Sequence, residues 1–322
     1  MKSLSRVGAV VLATTFALAT HPVAAQYPDR PMTFVVPFAA GSATDQLARA
    51  IAQEVTAQTK QPVVIDNKAG ASGFIGAQAV AKAAPDGYTV FITTNTTHAA
   101  NEHLFKSIPY DPVRDFEPVS GLAKGGQVLV IAPSMQARSV QELIAFAKAN
   151  PGKVSFGSGS SSSRIAGELF QQMSGTKLLH VPYKSNPQAV SDLLGGQISM
   201  MITDVATGLP QVKAGKLRAL GVSSQNRIGL LPDVPTISEA GLPGYEMSFW
   251  FAAYVPAKTP PAIVARLNTL LVNAVQGAAT RSLFESTGLQ GFTTSPEGLA
   301  KFRQAESQKW ARIIKAAGIE PE

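Results

Sequence analysis

Along most of this chain, short apolar runs alternate with segments of helical period, and this alternation restricts the fold more than any other feature. The strand candidates are Thr33–Val36, Val63–Asp66, Val90–Thr93, Gln127–Ala132, Val154–Gly157, Leu178–Val181, Ile198–Thr203, Ala219–Val222 and Ser248–Val255. Between and after them lie helix candidates at Thr44–Gln58, Gly73–Lys82, Ser139–Asn150, Ser163–Met173, Pro187–Gly195, Leu209–Ala214, Pro261–Val275, Ala279–Ser286 and Pro296–Ala317. Strand-helix alternation predicts βαβ units and parallel sheets, an α/β fold. Residues 139–150 illustrate the local logic. Ser139 can cap, Glu142 completes a capping box, Leu143, Ile144 and Phe146 form an apolar face, and Asn150-Pro151-Gly152 stops the helix.

Two segments share one design. In the first, strand 33–36 runs through a loop of tiny residues, Ala39-Ala40-Gly41-Ser42-Ala43, into a helix opened by Thr44-Asp45. In the second, Val154-Ser155-Phe156 runs through Gly157-Ser158-Gly159-Ser160-Ser161-Ser162 into a helix carrying Arg164. Their separation of about 120 residues is close to one domain length. Two α/β lobes are the economical reading, each presenting a helix N-terminus from the carboxyl end of a strand, where open α/β sheets bind ligands.

Helix N-termini carry unpaired N–H donors and a partial positive charge, and small residues let an anion approach the backbone. Ser42, Thr44, Ser160, Ser161 and Ser162 add hydroxyls, Asp45 stands at or near the first cap, and Arg164 can take a carboxylate bidentately. The same residue types also serve as plain caps and flexible loops, and Arg164 can equally be a solvated side chain. A third loop at the carboxyl end of a strand, Thr94-Asn95-Thr96-Thr97-His98, is rich in hydroxyls, and Asp204 ends the strand 198–203 as a wall residue or a helix cap. Phe38 and Trp250 can cover an apolar ligand body, although Trp250 sits in a segment, 245–254, that reads first as buried strand.

Composition removes several classes of function. The chain has 322 residues and no cysteine, which excludes disulfides, thiolate metal sites and a cysteine nucleophile. Residues 1–25 read as a secretory signal: Lys2 and Arg6, an apolar stretch from Val7 to Leu18, and Val23-Ala24-Ala25 before the cut. The net charge of +7 becomes +5 once Lys2 and Arg6 leave 26 basic against 21 acidic residues. No basic cluster interleaved with aromatics points to nucleic acid. Enzyme signals are weak: there is no G-x-S-x-G, Ser174-Gly175-Thr176-Lys177 lacks its partner motifs, and Gly70, Gly73 and Gly76 do not spell a dinucleotide fingerprint. After cleavage the histidines are His98, His103 and His180, too sparse to predict a metal site or cofactor.

The stretch VVPFAAGSATDQLAR resembles the first strand-loop-helix of the tripartite tricarboxylate transporter substrate-binding proteins, the Bug-type periplasmic binding proteins. Further matching stretches are NKAGASG from Asn67, APDGYT from Ala84, YDPVRDF from Tyr110, HVPYK from His180, DLLGGQ from Asp192, PDVPT from Pro232 and AKTP from Ala257. They follow the family order over nearly the whole chain. The resemblance implies a two-lobed, type II periplasmic binding fold hinged around a central cleft, with lobe 1 built from residues 26–124 and 227–322 and lobe 2 from residues 125–226. It implies a non-enzymatic, monomeric protein of the periplasm that needs no cofactor. Such a protein delivers a small carboxylate, aromatic dicarboxylates such as terephthalate included, to the membrane components of a tripartite transporter. The ligand contacts it carries over are Ser42, Ala43, Thr44 and Asp45 and the run from Ser158 to Ser162, with Ser158, Ser160, Ser161 and Ser162 as its serines; Phe38, Thr94, Asn95, Thr97, Arg164 and Asp204 join the candidate set on the residue reading above. The family loop usually ends Gly-Gly-x-Thr-Asp, so Ser42 and Ala43 depart from it, and Arg164 stands where His or Pro is frequent, which implies a second carboxylate or a tighter grip on one. A serine-dependent hydrolase and a sensor subunit for a membrane signalling partner are the competing readings.

Overall fold

The computed structural model describes residues 27–322, so the signal segment expected at 1–25 lies outside the described residues. The first half of the chain runs β1 (Met32–Val36), α1 (Ala43–Thr59), β2 (Val63–Asn67), α2 (Phe74–Ala81), β3 (Thr89–Thr94), α3 (Asn101–Leu104), β4 (Phe116–Ile131), α4 (Val140–Ala149), β5 (Ser155–Ser158) and α5 (Ser161–Ser174). It continues as β6 (Leu179–Pro182), α6 (Asn186–Leu194), β7 (Met200–Asp204), α7 (Val205–Lys213), β8 (Arg218–Val222), β9 (Ser248–Pro256), α8 (Pro261–Val275), α9 (Ala278–Thr287), β10 (Gln290–Gly291) and α10 (Pro296–Ala316).

The strands lie in the order β2-β1-β3-β9-β4-β7-β5-β6, with β8 and β10 paired to β4. Two parallel sets, β2-β1-β3 and β7-β5-β6, form the two lobes of an α/β fold. The expectation of parallel sheets is corrected at their junction: β9 runs antiparallel to both β3 and β4, and β4 runs antiparallel to β7 and β8. β4 is also far longer than the Gln127–Ala132 expected for it. Residues 116–126 of it hold Pro118, Gly121, Lys124, Gly125 and Gly126, residues that weaken a strand pattern, and register shifts at Pro118/Ser120 and Gly121/Ala123 absorb the first two.

Helices cover both sheets for ordinary reasons of period. In α1, Leu47, Ala48, Ile51, Ala52 and Val55 repeat at three- and four-residue spacing, are buried, and pack on Phe34 and on Leu267 and Leu271 of α8. Each fully buried Leu or Ile contributes roughly 1.5–3 kcal/mol. The helix ends at Lys60, whose φ of 62° lies in the left-handed region. In the other lobe, Leu193 of α6 and Leu209 of α7 pack on Val128, Val130 and Met201. No helix among the described residues is long and apolar enough to cross a membrane.

Candidate functional site

Four helices begin at the carboxyl ends of strands facing one cleft: α1 after β1, α5 after β5, α6 after β6 and α7 after β7. Their starts enclose a narrow inner cavity of about 30 Å3. One wall comes from Phe38, Ser42, Ala43, Thr44 and Thr94. The facing wall comes from Gln127, Gly159, Ser160, Ser162, Asn186 and Asp204. Phe249 and Phe251 of β9 close the side. The lining contains no Lys, Arg or His, and its one ionisable residue is Asp204, so peptide dipoles and hydroxyls are what it offers an anion.

The caps determine which donors remain for a ligand. Ser42 caps α1 by accepting from the Asp45 N–H, and Ser160 caps α5 by accepting from the Ser163 N–H in a capping box completed by the Ser163 hydroxyl. The preceding N–H groups, of Ala43 and Thr44 and of Ser161 and Ser162, belong to the first turn and have no intrahelical acceptor. Gly41 has a φ of 81°, which turns the chain into α1 at low cost only without a Cβ. Gly159 has another reason: a Cβ there would lie 1.9 Å from the Ser185 carbonyl carbon. Glycine alone allows the β5–α5 loop to press against the start of α6.

Several expected residues brace the cleft behind its lining. Asp45 is buried, and its carboxylate accepts from the Gly41 N–H at 2.9 Å, Asn67 Nδ2 at 3.0 Å and Arg49 Nε at 3.0 Å. Burial alone would raise the Asp45 pKa, but the hydrogen bonds from Arg49, Gly41 and Asn67 outweigh it and hold the pKa below its ordinary value. Asp45 therefore pins the loop before α1, a role beyond the simple cap expected of it. Asn95 spans the cleft: its Nδ2 donates to Ser162 Oγ at 2.8 Å and its Oδ1 accepts from the Trp250 N–H at 3.3 Å. Thr97 is buried beneath, 2.6 Å from Thr93 Oγ1 and 2.9 Å from His98 Nδ1. A π-helical turn at Thr96–Ala100, which the sequence reading took as loop, sets these positions.

Ser158, Ser161 and Arg164 open instead onto an outer cavity of about 150 Å3, which shares Gly159 and Ser160 with the inner one. Ser161 Oγ donates to Asn101 Oδ1 at 2.8 Å. An Arg164 guanidinium nitrogen lies 2.7 Å from the Glu322 carboxylate. Ser158 Oγ lies 2.7 Å from His180 Nε2, a partnership that nothing in the sequence indicated. Burial, with the charge of Arg164, pulls the His180 pKa down to about 4, far too low for an effective general base at neutral pH.

Asp204 lines the inner cavity and also caps α7, accepting from the Thr207 N–H at 2.8 Å and from Asn186 Nδ2 at 2.8 Å. Trp250 does not reach the cavity. It is buried on the opposite face of β9, with Nε1 donating to Glu306 at 3.0 Å. Strand alternation explains the exchange: Phe249 and Phe251 point to the cleft, and the residue between them points away. The sequence reading missed Gln127, Asn186, Phe249 and Phe251. The two phenylalanines were accessible from period two along β9, whereas Gln127 and Asn186 carry no signal without the topology.

Residues 47–319 match the tripartite tricarboxylate transporter family receptor. BugT of Bordetella pertussis is 37% identical over 311 residues, covering 96% of this chain and 95% of BugT. The R. palustris protein Rpa4515, solved with adipate, superposes with a TM-score of 0.89 at 36% identity, covering 92% of this chain and all of that one. MatC from Rhodopseudomonas palustris, solved with bound malate, gives a TM-score of 0.83 at 30% identity, covering 89% of this chain and all of that one. The chain belongs to the tripartite tricarboxylate transporter receptor family, whose Bug-type members are periplasmic solute-binding proteins.

Proposed function

We propose that this protein captures a small organic acid in the inner cavity, with the carboxylate held by the first-turn N–H groups of α1 and α5 and the hydroxyls beside them. The observation that carries the reading is the approach of these two helix starts, Ser42–Thr44 and Ser160–Ser162, from opposite walls of one cavity. Backbone donors and helix dipoles are well suited to an anion without a cationic side chain. Similar proteins solved with adipate and malate support the ligand class. Phe38, Phe249 and Phe251 offer flat apolar faces to the body of the acid, which keeps an aromatic acid such as terephthalate among the candidates.

In this proposal Ala43, Thr44, Thr94, Ser160, Ser162 and Asp204 meet the ligand with Ser42 and Phe38, while Asp45, Asn95 and Thr97 hold those residues in place. Ser158, Ser161 and Arg164 act through the loop shared by the two cavities. The lobes divide near residues 124/125 and 226/227, close to where β4 passes from pairing with β9 to pairing with β7 and β8. A monomer exported to the periplasm by the segment 1–25 would close around its ligand and present it to the membrane components of a tripartite transporter. Catalysis is disfavoured: the serine-histidine pair at the cleft, Ser158–His180, has a weakly basic imidazole and no carboxylate bonded to it, and the other such pair among the described residues, Ser307–His103, lines neither cavity.

Isothermal titration of the protein against mono-, di- and tricarboxylates, aliphatic and aromatic, tests the reading. Stoichiometric binding of one acid class, weakened by Thr44→Val, is expected. Binding of no acid, or Ser158-dependent ester turnover, would overturn it.

A further inference from the structure

Gln127 is the one polar residue of the facing wall whose end group is left over. Its backbone is fixed on both sides by Ser223, whose Oγ accepts from the Gln127 N–H at 2.8 Å and whose N–H donates to the Gln127 carbonyl at 2.8 Å. The residue is 1% exposed and lines the inner cavity. Its Oε1 has no hydrogen-bond partner among the described residues. Asn186, by contrast, is committed: its Oδ1 accepts from the Gly159 N–H and Ser163 Oγ, and its Nδ2 donates to Asp204. A buried amide oxygen without a donor is costly, and a ligand that supplies the donor recovers that cost.

The neighbour of Gln127 defines the donor. Gln127 and Asp204 are direct partners in the antiparallel β4–β7 pair, so their side chains share a face. Rotating the Gln127 amide would exchange its oxygen for NH2, and a ligand carboxylate placed there would meet the Asp204 carboxylate. A group that donates is accepted by both residues.

Resting on the carboxylate reading above, we propose that Gln127 is a specificity-determining residue whose side-chain amide, beside Asp204, reads a hydroxyl on the bound acid, so that the preferred ligands are hydroxylated carboxylates. The helix starts of α1 and α5 hold the carboxylate, and the hydroxyl donates toward Gln127 Oε1.

Matched pairs test this by calorimetry: malate against succinate, 6-hydroxyhexanoate against hexanoate and adipate, 4-hydroxybenzoate against benzoate. In the pair that fits the cavity, the wild-type protein is expected to bind the hydroxylated acid at least tenfold more tightly. Gln127→Met, matched in length, should bring the two within about threefold, and Gln127→Glu, which keeps the acceptor, should preserve the ratio even if both affinities fall. Melting curves of both variants establish that they are folded, and Gln127→Leu, which also removes the acceptor, takes the place of Gln127→Met if the latter is not. Acids that bind without preference for the hydroxyl, or a preference untouched in Gln127→Met, would overturn the role of Gln127 and leave the carboxylate reading intact. Binding of none of these acids would remove both.

Discussion

Asn95 and Ser162 meet across the cleft, with Asn95 Nδ2 donating to Ser162 Oγ at 2.8 Å in a fully buried contact. One residue follows β3 and the other opens α5, so this bond ties the two lobes at the rim of the inner cavity. Asn95→Ala leaves the Ser162 hydroxyl and the Trp250 N–H short of a partner. A loss of about 1–3 kcal/mol in stability is expected from that, with ligand affinity reduced because one bond across the cleft is gone. Chemical denaturation and calorimetry measure the two effects separately; unchanged affinity would mean that the bond contributes to folding alone.

Gly159→Ala is expected to be severe. The new Cβ would fall 1.9 Å from the Ser185 carbonyl carbon and 2.1 Å from the Asn186 N, both backbone atoms that cannot swing aside. Overpacking of this kind costs about 3 kcal/mol or more. A melting temperature within a degree of wild type would show that the β5–α5 loop can move away from α6.

Asp45 supplies a stability term with a defined pH window. Its folded pKa is depressed, so the unfolded chain binds the proton more readily. The contribution is complete above the ordinary carboxylate range and is lost as pH falls through it toward the folded value. Asp45→Asn should flatten the acid limb of the stability curve below about pH 4, the ordinary range of an aspartate, as followed by urea titration. An unaltered acid limb would assign that limb to other carboxylates.

His98 and His180 act at higher pH. Burial lowers both pKa values, with Arg303 adding to the effect on His98 and Arg164 on His180, so each histidine is neutral when folded and takes a proton more readily when unfolded. Stability should therefore fall as pH drops below about 6.5, the ordinary histidine value. His98 is the more enclosed of the two: its ring is fully buried and stacks on Tyr254 at 3.8 Å. Comparing wild type with His98→Gln between pH 7.5 and 5 isolates that slope.

Arg164→Ala separates the two cavities experimentally. The pair with Glu322 is half-exposed on the glutamate side, which limits its contribution to stability to about 0–1 kcal/mol. Because Arg164 lines the outer cavity, the dissociation constant for the captured acid should change by less than about threefold. A tenfold loss would put the guanidinium in direct reach of the ligand.

The legible part of this molecule was whatever is encoded locally. Strand, small loop and capped helix recur around Ser42 and Ser160, and the structure brings both starts to one cavity. Their partners were hidden because they come from distant segments. Gln127 faces Asp204 only because β4 and β7 pair, and Asn186 reaches Gly159 only because α6 starts beside α5. The first part of β4 was hidden for a different reason: Pro118 and Gly121 sit at register shifts that only a neighbouring strand reveals. Trp250 had the right strand and the wrong parity.

The lining of the inner cavity holds no lysine, arginine or histidine. Peptide N–H groups and alcohols have no proton to gain or lose across the range in which bacteria live. Asp204 apart, the grip on a carboxylate is thus fixed by geometry, and its strength should follow the ionisation of the acid and not that of the receptor. In a family with periplasmic members such as BugD, this is a way to keep capture constant while the acidity of the surroundings changes.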